Sequence, residues 1–434
     1  MSKKIDFWVL LSEVQEFIAQ FYSATLSDEA AGEQIKSYIS KFLFDNDVEC
    51  EDCDTDSLID RLYREMVEYS VLTPYLNAPN LEEINVNAWD DIAVTYLDGS
   101  IHKCAEKFNS PQHAVDILKR LLHNSGMVID NATPMAQGHL PNNTRITVLK
   151  APVVDEENGI SASIRLLHPQ RINLQKLMTT DFATKKMLQF LCMCMRYGVS
   201  MVMAGATSTG KTTLLNCLLT TIPDNKRVYT IESGARELSL VRRNPDGSIR
   251  NNVVHTLSRP SENANYDISQ EKLVVASLRF NPDIICVGEM RDVEAYSAVE
   301  ASLTGHTVVS SVHASGSAGT HMRIALLCQK KFPIDFGTSL IQAAQAFPIV
   351  VFTHRLENND RKIMEISEAE VLPNGETRYR TLFNYNITKN NLTPDGYEVE
   401  GYFDQPEIMS ESLKRKLLQY GVPQPLLQQF LTKD

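Results

Sequence analysis

The chain has 434 residues, more than one typical hydrophobic core holds, so two domains with appendages are expected. Its 54 acidic against 42 basic residues leave a formal charge of −12, which argues against a motor whose main working surface is a basic track for nucleic acid. The sequence has no run of about 18 apolar residues, its start is broken by Ser12, Glu13 and Glu16 too soon for a secretory leader, and its eight cysteines are scattered, so a cytosolic protein with reduced thiols is expected.

Residues 6–44 carry two helical patterns, Phe7, Leu10, Leu11, Val14, Ile18 and Phe21, then Ile35, Ile39, Phe42 and Leu43, with Ser27 and Asp28 as a helix start between them. An acidic stretch from Asp45 to Asp56 leads to a third helical segment, Ser57 to Tyr69. Such a helical region over 1–70 is either a docking module or a lid on its neighbour. Cys50 and Cys53 form a lone C-x-x-C with no second pair at zinc spacing, so an incidental origin is expected.

Over 71–170 the pattern changes to short strands around one helix, an α+β domain. Ile84 to Asn87 and Ile92 to Tyr96 read as strands closed by the Asp98-Gly99 turn, Ala114 to Leu122 as an amphipathic helix, and Thr144 to Val148 and Ser161 to Leu166 as two further strands. Residues 171–184 read as a linker, Lys185 to Met195 as a helix. From Lys226 onward strands and helices alternate, which predicts a mostly parallel sheet within a domain over 185–384, followed by an extension over 385–434.

The second domain is organised around an apolar strand, Ser200 to Ala204, that runs straight into Gly205, Ala206, Thr207, Ser208, Thr209, Gly210, Lys211 and Thr212. These fit G-x-x-x-x-G-K-[ST] at every fixed position, and Thr213, Leu214, Leu215, Leu218 and Leu219 continue as a helix. In such a loop glycines let successive N–H groups turn toward phosphate oxygens at a helix N-terminus. Lys211 then supplies charge to the outer phosphates and Thr212 a hydroxyl for Mg²⁺. A nucleotide-binding loop is the firm expectation.

Two later strands end in acids, Val228 to Glu232 and Ile284 to Glu289. Ligands of open α/β sheets bind at the carboxyl ends of strands, so both carboxylates are expected beside the phosphates, one polarising water and the other holding Mg²⁺ through its water shell. The competing reading of Glu289 is an acid placed at the start of the helix near Val293. His306 and His313 bracket the strand Thr307 to Val312, which places at least one near the terminal phosphate.

These residues together resemble the secretion-superfamily ATPases of type II secretion, type IV secretion and type IV pili, with the pattern closest to the CpaF-type motors of tight-adherence pili. Gly205 to Thr212 is similar to the family's Walker A loop, Tyr229 to Glu232 with Arg236, Glu237 and Leu238 to its aspartate box, Leu278 to Arg291 to its Walker B segment with Gly288 before the acid, and Leu303 to Ala314 to its histidine box. The resemblance implies a RecA-like P-loop domain, preceded by the α+β domain and the helical appendage. It implies a homo-hexameric ring hydrolysing ATP with Mg²⁺, docked from the cytoplasm on an inner-membrane platform protein. It further implies that Arg145 and Arg165, in Leu140 to Ile146 and Ser163 to Arg165, reach the nucleotide, and that an arginine acts between subunits, with Arg236, Arg279 and Arg291 as candidates.

Ser233 stands where the family has an acid, the loop Asn142-Asn143-Thr144 lacks the common Asp-Gly, and the tetracysteine zinc module of many type II motors is absent from the sequence. A conjugative type IV secretion ATPase and a nucleotide-gated scaffold without turnover are the competing functions, and DNA is not the expected partner.

Overall fold

Alternation of apolar and polar residues dictates the first sheet, and near-continuous apolar runs the second. A computed structural model describes residues 5–22, 32–48, 54–140, 144–166, 172–259, 263, 266–394 and 396–433. Ser27, Asp28, Cys50, Cys53, Asn142 and Asn143 lie outside these. The backbone divides into two units, residues 1–167 and 168–434.

In the first unit helices α1 (Phe7–Tyr22), α2 (Gly32–Asp45) and α3 (Thr55–Met66) close around Leu10, Val14, Ile18, Ile35, Ile39 and Leu62. A short helix α4 (Thr73–Leu76) leads to strands β1 (Leu81–Ala88), β2 (Asp91–Tyr96) and β3 (Ile101–Lys103), helix α5 (Pro111–His123), and strands β4 (Met135–His139), β5 (Arg145–Lys150) and β6 (Ile160–Arg165). They form an antiparallel sheet in the order β3-β2-β1-β6-β5-β4. Ile146, Val148 and Ile164 pack with Leu118 and Leu122 of α5, and the period of two puts Arg145 and Arg165 on the other face. The Asp98-Gly99 turn closes β2 onto β3, a strand not expected, rather than β1 onto β2.

The three-helix region is packed on α5. Arg120 donates from Nη1 and Nη2 to the carbonyls of Met66 and Glu65 at the end of α3, at 2.6 and 2.9 Å, and His113 Nε2 stands 3.1 Å from Glu65 Oε2. An arginine at a helix C-terminus satisfies carbonyls that have no partner within the helix.

The second unit runs through α6 (Leu174–Thr179), α7 (Lys185–Arg196), β7 (Met201–Ala204), α8 (Lys211–Leu219), β8 (Arg227–Glu232), β9 (Asn252–Leu257), α9 (Gln270–Ser277), β10 (Ile284–Val287), α10 (Glu294–Leu303) and β11 (Thr307–Val312). It continues through α11 (Gly316–Gln329), α12 (Phe336–Ala346), β12 (Ile349–Arg355), β13 (Arg361–Val371), β14 (Thr377–Thr393), β15 (Gly396–Asp404), α13 (Glu411–Gln419) and α14 (Gln424–Gln428). One nine-stranded sheet has the order β15-β14-β13-β12-β7-β11-β10-β8-β9. Its strands from β12 to β9 are parallel and β13, β14 and β15 are antiparallel, so the expected parallel sheet covers only part of it.

Met201 and Met203 of β7 face a layer with Leu214, Leu218, Met187 and Leu417, while Val202 and Ala204 face a second layer with Ala298, Val299 and Ile324. Burial on both faces is why this strand reads as an unbroken apolar run. The stretch read as a linker holds α6, with Leu177 and Phe182 buried in the first of these layers and the Phe182 carbonyl accepting from Ile363 N. Strand β14 crosses the expected boundary at 384/385, so the start of the C-terminal extension is sheet. Buried Glu368 of β13 accepts from the N–H of Ser410, at 2.8 Å, and from its hydroxyl, while Ser410 caps α13.

Candidate functional site

Four adjacent parallel strands end at one edge of this sheet, and each delivers a residue of the predicted site. β7 runs into the glycine loop, β11 into His313, β10 into Gly288 and Glu289, and β8 ends at Glu232. The carboxyl edge of a parallel sheet is where ligands of open α/β folds bind.

The loop takes its shape from three left-handed or positive-φ positions, Gly205 at +147°, Ser208 at +57° and Gly210 at +94°. A Cβ on Gly205 would collide with the Thr353 carbonyl oxygen, so only glycine fits there. The Thr209 hydroxyl donates to the Ala206 carbonyl at 3.0 Å and lies 2.9 Å from the Thr353 hydroxyl, which donates to Ala204 O. Arg361 of β13 donates from Nε to the Ser208 carbonyl at 2.8 Å. Ala206 and Thr207 are exposed at the tip, and Thr212 and Thr213 stand half-buried in the first turn of α8.

Lys211 is buried, with Nζ on the carbonyls of Gly205 and Ala206 at 2.9 and 2.5 Å. A lysine held inside a loop of backbone groups at a helix start is the arrangement that grips phosphate.

Glu232 is 4% exposed, and its Oε1 accepts from the backbone N–H of Glu237 and Leu238 at 2.6 and 2.9 Å. Its Oε2 is buried with no hydrogen-bond partner among the described residues. Burial pushes the carboxyl up to about 7 against the two backbone donors, which pull it down. The glycine preceding Glu289 has a local cause: a Cβ on Gly288 would press on the Ile231 carbonyl at 3.3 Å and on Glu232 Cγ at 3.4 Å.

Glu289 carries Arg291 Nη2 on its Oε2, and His313 Nε2 stands 3.0 Å from Oε1, at ion-pair distance but off the line of a hydrogen bond. The pairing raises the Arg291 guanidinium, already the stronger base. For His313, partial burial and then the Lys211 charge hold the imidazole below its ordinary value, and Glu289 only partly offsets them. The helix-start role weighed for Glu289 belongs to Glu294, whose Oε1 accepts from the N–H of Arg291 and Asp292 at 2.5 and 2.8 Å.

His306 is not brought to this cluster. It precedes β11 where His313 follows it, and seven steps along the strand at roughly 3.3 Å each put about 23 Å between them. Arg145 and Arg165 belong to the first unit, where they face each other across β5 and β6 in register, with Arg165 Nη2 3.6 Å from Glu82 Oε1. Arg279 is exposed beyond α9, while Arg236 acts electrostatically on both Glu232 and His255. Sequence reasoning missed Thr353 and Arg361, which lie about 150 residues from the loop they touch and carry no motif. No group of three or more His, Cys, Asp or Glu able to hold a metal directly occurs among the described residues.

The family described as type II/IV secretion system protein matches residues 65–371. An uncharacterized protein of Methanocaldococcus jannaschii is 24% identical over 435 residues, spanning 98% of this chain and 77% of that protein. The type IV secretion system protein PtlH of Bordetella pertussis is 30% identical over 191 residues, 42% of this chain and 54% of its own length. Among solved structures, the ATPase DotB of Legionella pneumophila is similar at 18% identity with a TM-score of 0.47, covering 88% of each chain.

Proposed function

Because the chain belongs to the type II/IV secretion system protein family, we propose that it is an ATP-hydrolysing motor that powers pilus assembly or protein export. The observation that carries this reading is the delivery of Lys211, His313, Glu289 and Glu232 to one sheet edge by four neighbouring parallel strands.

In this reading Gly205 to Thr213 cradle the phosphates, Lys211 leaves the loop carbonyls for the outer phosphates, and Thr212 with Glu289, the latter through water, holds Mg²⁺. Bound Mg²⁺ supplies charge neutralisation on the phosphate oxygens. Glu232 with its unsatisfied Oε2 takes the proton of the attacking water, and His313 senses the terminal phosphate from beside Glu289. His306 keeps no catalytic role. Arg145 and Arg165 remain further cations for the phosphates, on the likeness of their segments to the family's.

The working form is a homo-hexameric ring, peripheral at the cytoplasmic face of the membrane and docked on a platform protein. The tight-adherence pilus branch is favoured over a conjugative motor by the −12 charge and by the extension after Leu382.

The test is steady-state ATP hydrolysis against protein concentration, with molar mass measured in parallel. Turnover should rise as the hexamer forms, and Glu289→Gln should lower it about 100-fold or more while ATP still binds. Wild-type protein that binds ATP and forms the ring, yet never turns over with platform membranes added, would overturn the motor in favour of a nucleotide-gated scaffold.

A further inference from the structure

The glycine loop is held from outside by a residue that no motif marks. Arg361 opens β13, and its Nε donates to the Ser208 carbonyl at 2.8 Å. Ser208 is the one non-glycine residue of the loop with a positive φ, +57°. Such a position is disfavoured for a side-chain-bearing residue and persists only where its surroundings hold it.

A trans peptide is planar, with its C=O and N–H on opposite sides. Fixing the Ser208 carbonyl toward Arg361 therefore turns the N–H of Thr209 the other way, away from β13. The Thr209 side chain is fixed as well, by Ala206 O and the Thr353 hydroxyl. Two positive-φ residues, Ser208 and Gly210, thus stand on either side of Thr209, and the carbonyl of the peptide that carries the Thr209 N–H is clamped. The methylene stem of Arg361 also lines the loop, its Cδ lying 3.9 Å from where a Cβ on Gly210 would stand.

We propose that Arg361 is a positioning residue for the polyphosphate: it orients the Ser208–Thr209 peptide so that the Thr209 N–H is presented to a nucleotide phosphate. The proposal rests on the nucleotide reading of the loop and deepens it, by assigning phosphate affinity to a side chain outside the loop and its helix.

The experiment uses full-length protein with fluorescent ATP and ADP analogues, the wild type being measured first. Arg361→Gln should weaken both nucleotides about 10-fold with a melting temperature within a degree or two of wild type. Arg361→Lys, which keeps a donor, should recover part of the loss, and added guanidinium at millimolar concentration should restore binding to Arg361→Ala but not to wild type. A merely structural role would lower the melting temperature and leave the dissociation constant and the guanidinium response unchanged, and that result overturns the proposal. Wild-type protein that binds no nucleotide would overturn the underlying reading itself, a different failure from wild-type binding matched by all three variants.

Discussion

Glu232 holds one carboxylate oxygen satisfied by two backbone donors and the other buried without a hydrogen-bond partner among the described residues, and the imbalance makes its charge expensive. Between the ordinary carboxyl value of 4.5 and about 7 the folded protein binds a proton that the unfolded chain has released. Stability from this group is therefore greatest in acid and falls as pH rises through that window. Glu232→Gln keeps the acceptor for Glu237 and Leu238 and never ionises. It should match wild type near pH 4 and exceed it by up to about 3 kcal/mol at pH 8. Thermal or urea unfolding at the two pH values measures this, and an equal difference at both would show that ionisation is not the cause.

The residues of the loop and its two acids were legible because each is the polar end of an apolar run. The choice between His306 and His313 stayed open in the sequence because the two ends of Thr307 to Val312 are equivalent in composition. The strand direction distinguishes them: β11 runs parallel to β7, so only the residue after it shares an edge with Lys211. The rule of the carboxyl edge, applied to the histidines as it was to the acids, separates them without coordinates.

At the level of elements, β7, β8, β10 and β11 announce themselves by being buried on both faces. The antiparallel strands do not. In β14 only Leu382, Phe383 and Tyr385 of 17 residues are buried, so its sequence carries no continuous pattern, and neighbours on either side define it. The tail then folds back through several polar joints, among them Glu407 on the Thr381 N–H and Arg380, and the Ser410 cap on buried Glu368. Ser410→Ala removes the cap and takes a donor from a buried carboxylate, which should cost about 1–3 kcal/mol in urea unfolding. Ser410→Thr should recover much of it, because a hydroxyl remains at the same place.

Across the whole molecule, the two units follow different rules of construction, an antiparallel sheet with one helix layer and a largely parallel sheet covered on both faces. The change of pattern in the sequence suggested a boundary at 170 and the units divide after 167, while the packing of the N-terminal helices on α5 left no sequence signal, because it rests on Arg120, His113 and Glu65, each unremarkable alone. Arg145 and Arg165 face one another in register, with the Glu82 carboxylate 3.6 Å from Arg165, and the role proposed for the pair at the phosphates goes beyond this local pairing. Replacing both with glutamine should weaken ATP binding about 10-fold while leaving the melting temperature near wild type. Unchanged binding in a titration with labelled ATP would remove them from the site.

The strand order also sets when the phosphate loop can exist. Residues 201–204 find their partners at 309–312 and 349–352, and the clamps Thr353 and Arg361 come later still. On the ribosome the Lys211 segment emerges about 150 residues before the strand that flanks it, and pairing across such separations is slow. The nascent chain must therefore carry this apolar strand unpaired until residues 309–312 emerge and half-paired until 349–352 follow, which makes the interval between β7 and β12 the period in which chaperones have most to protect.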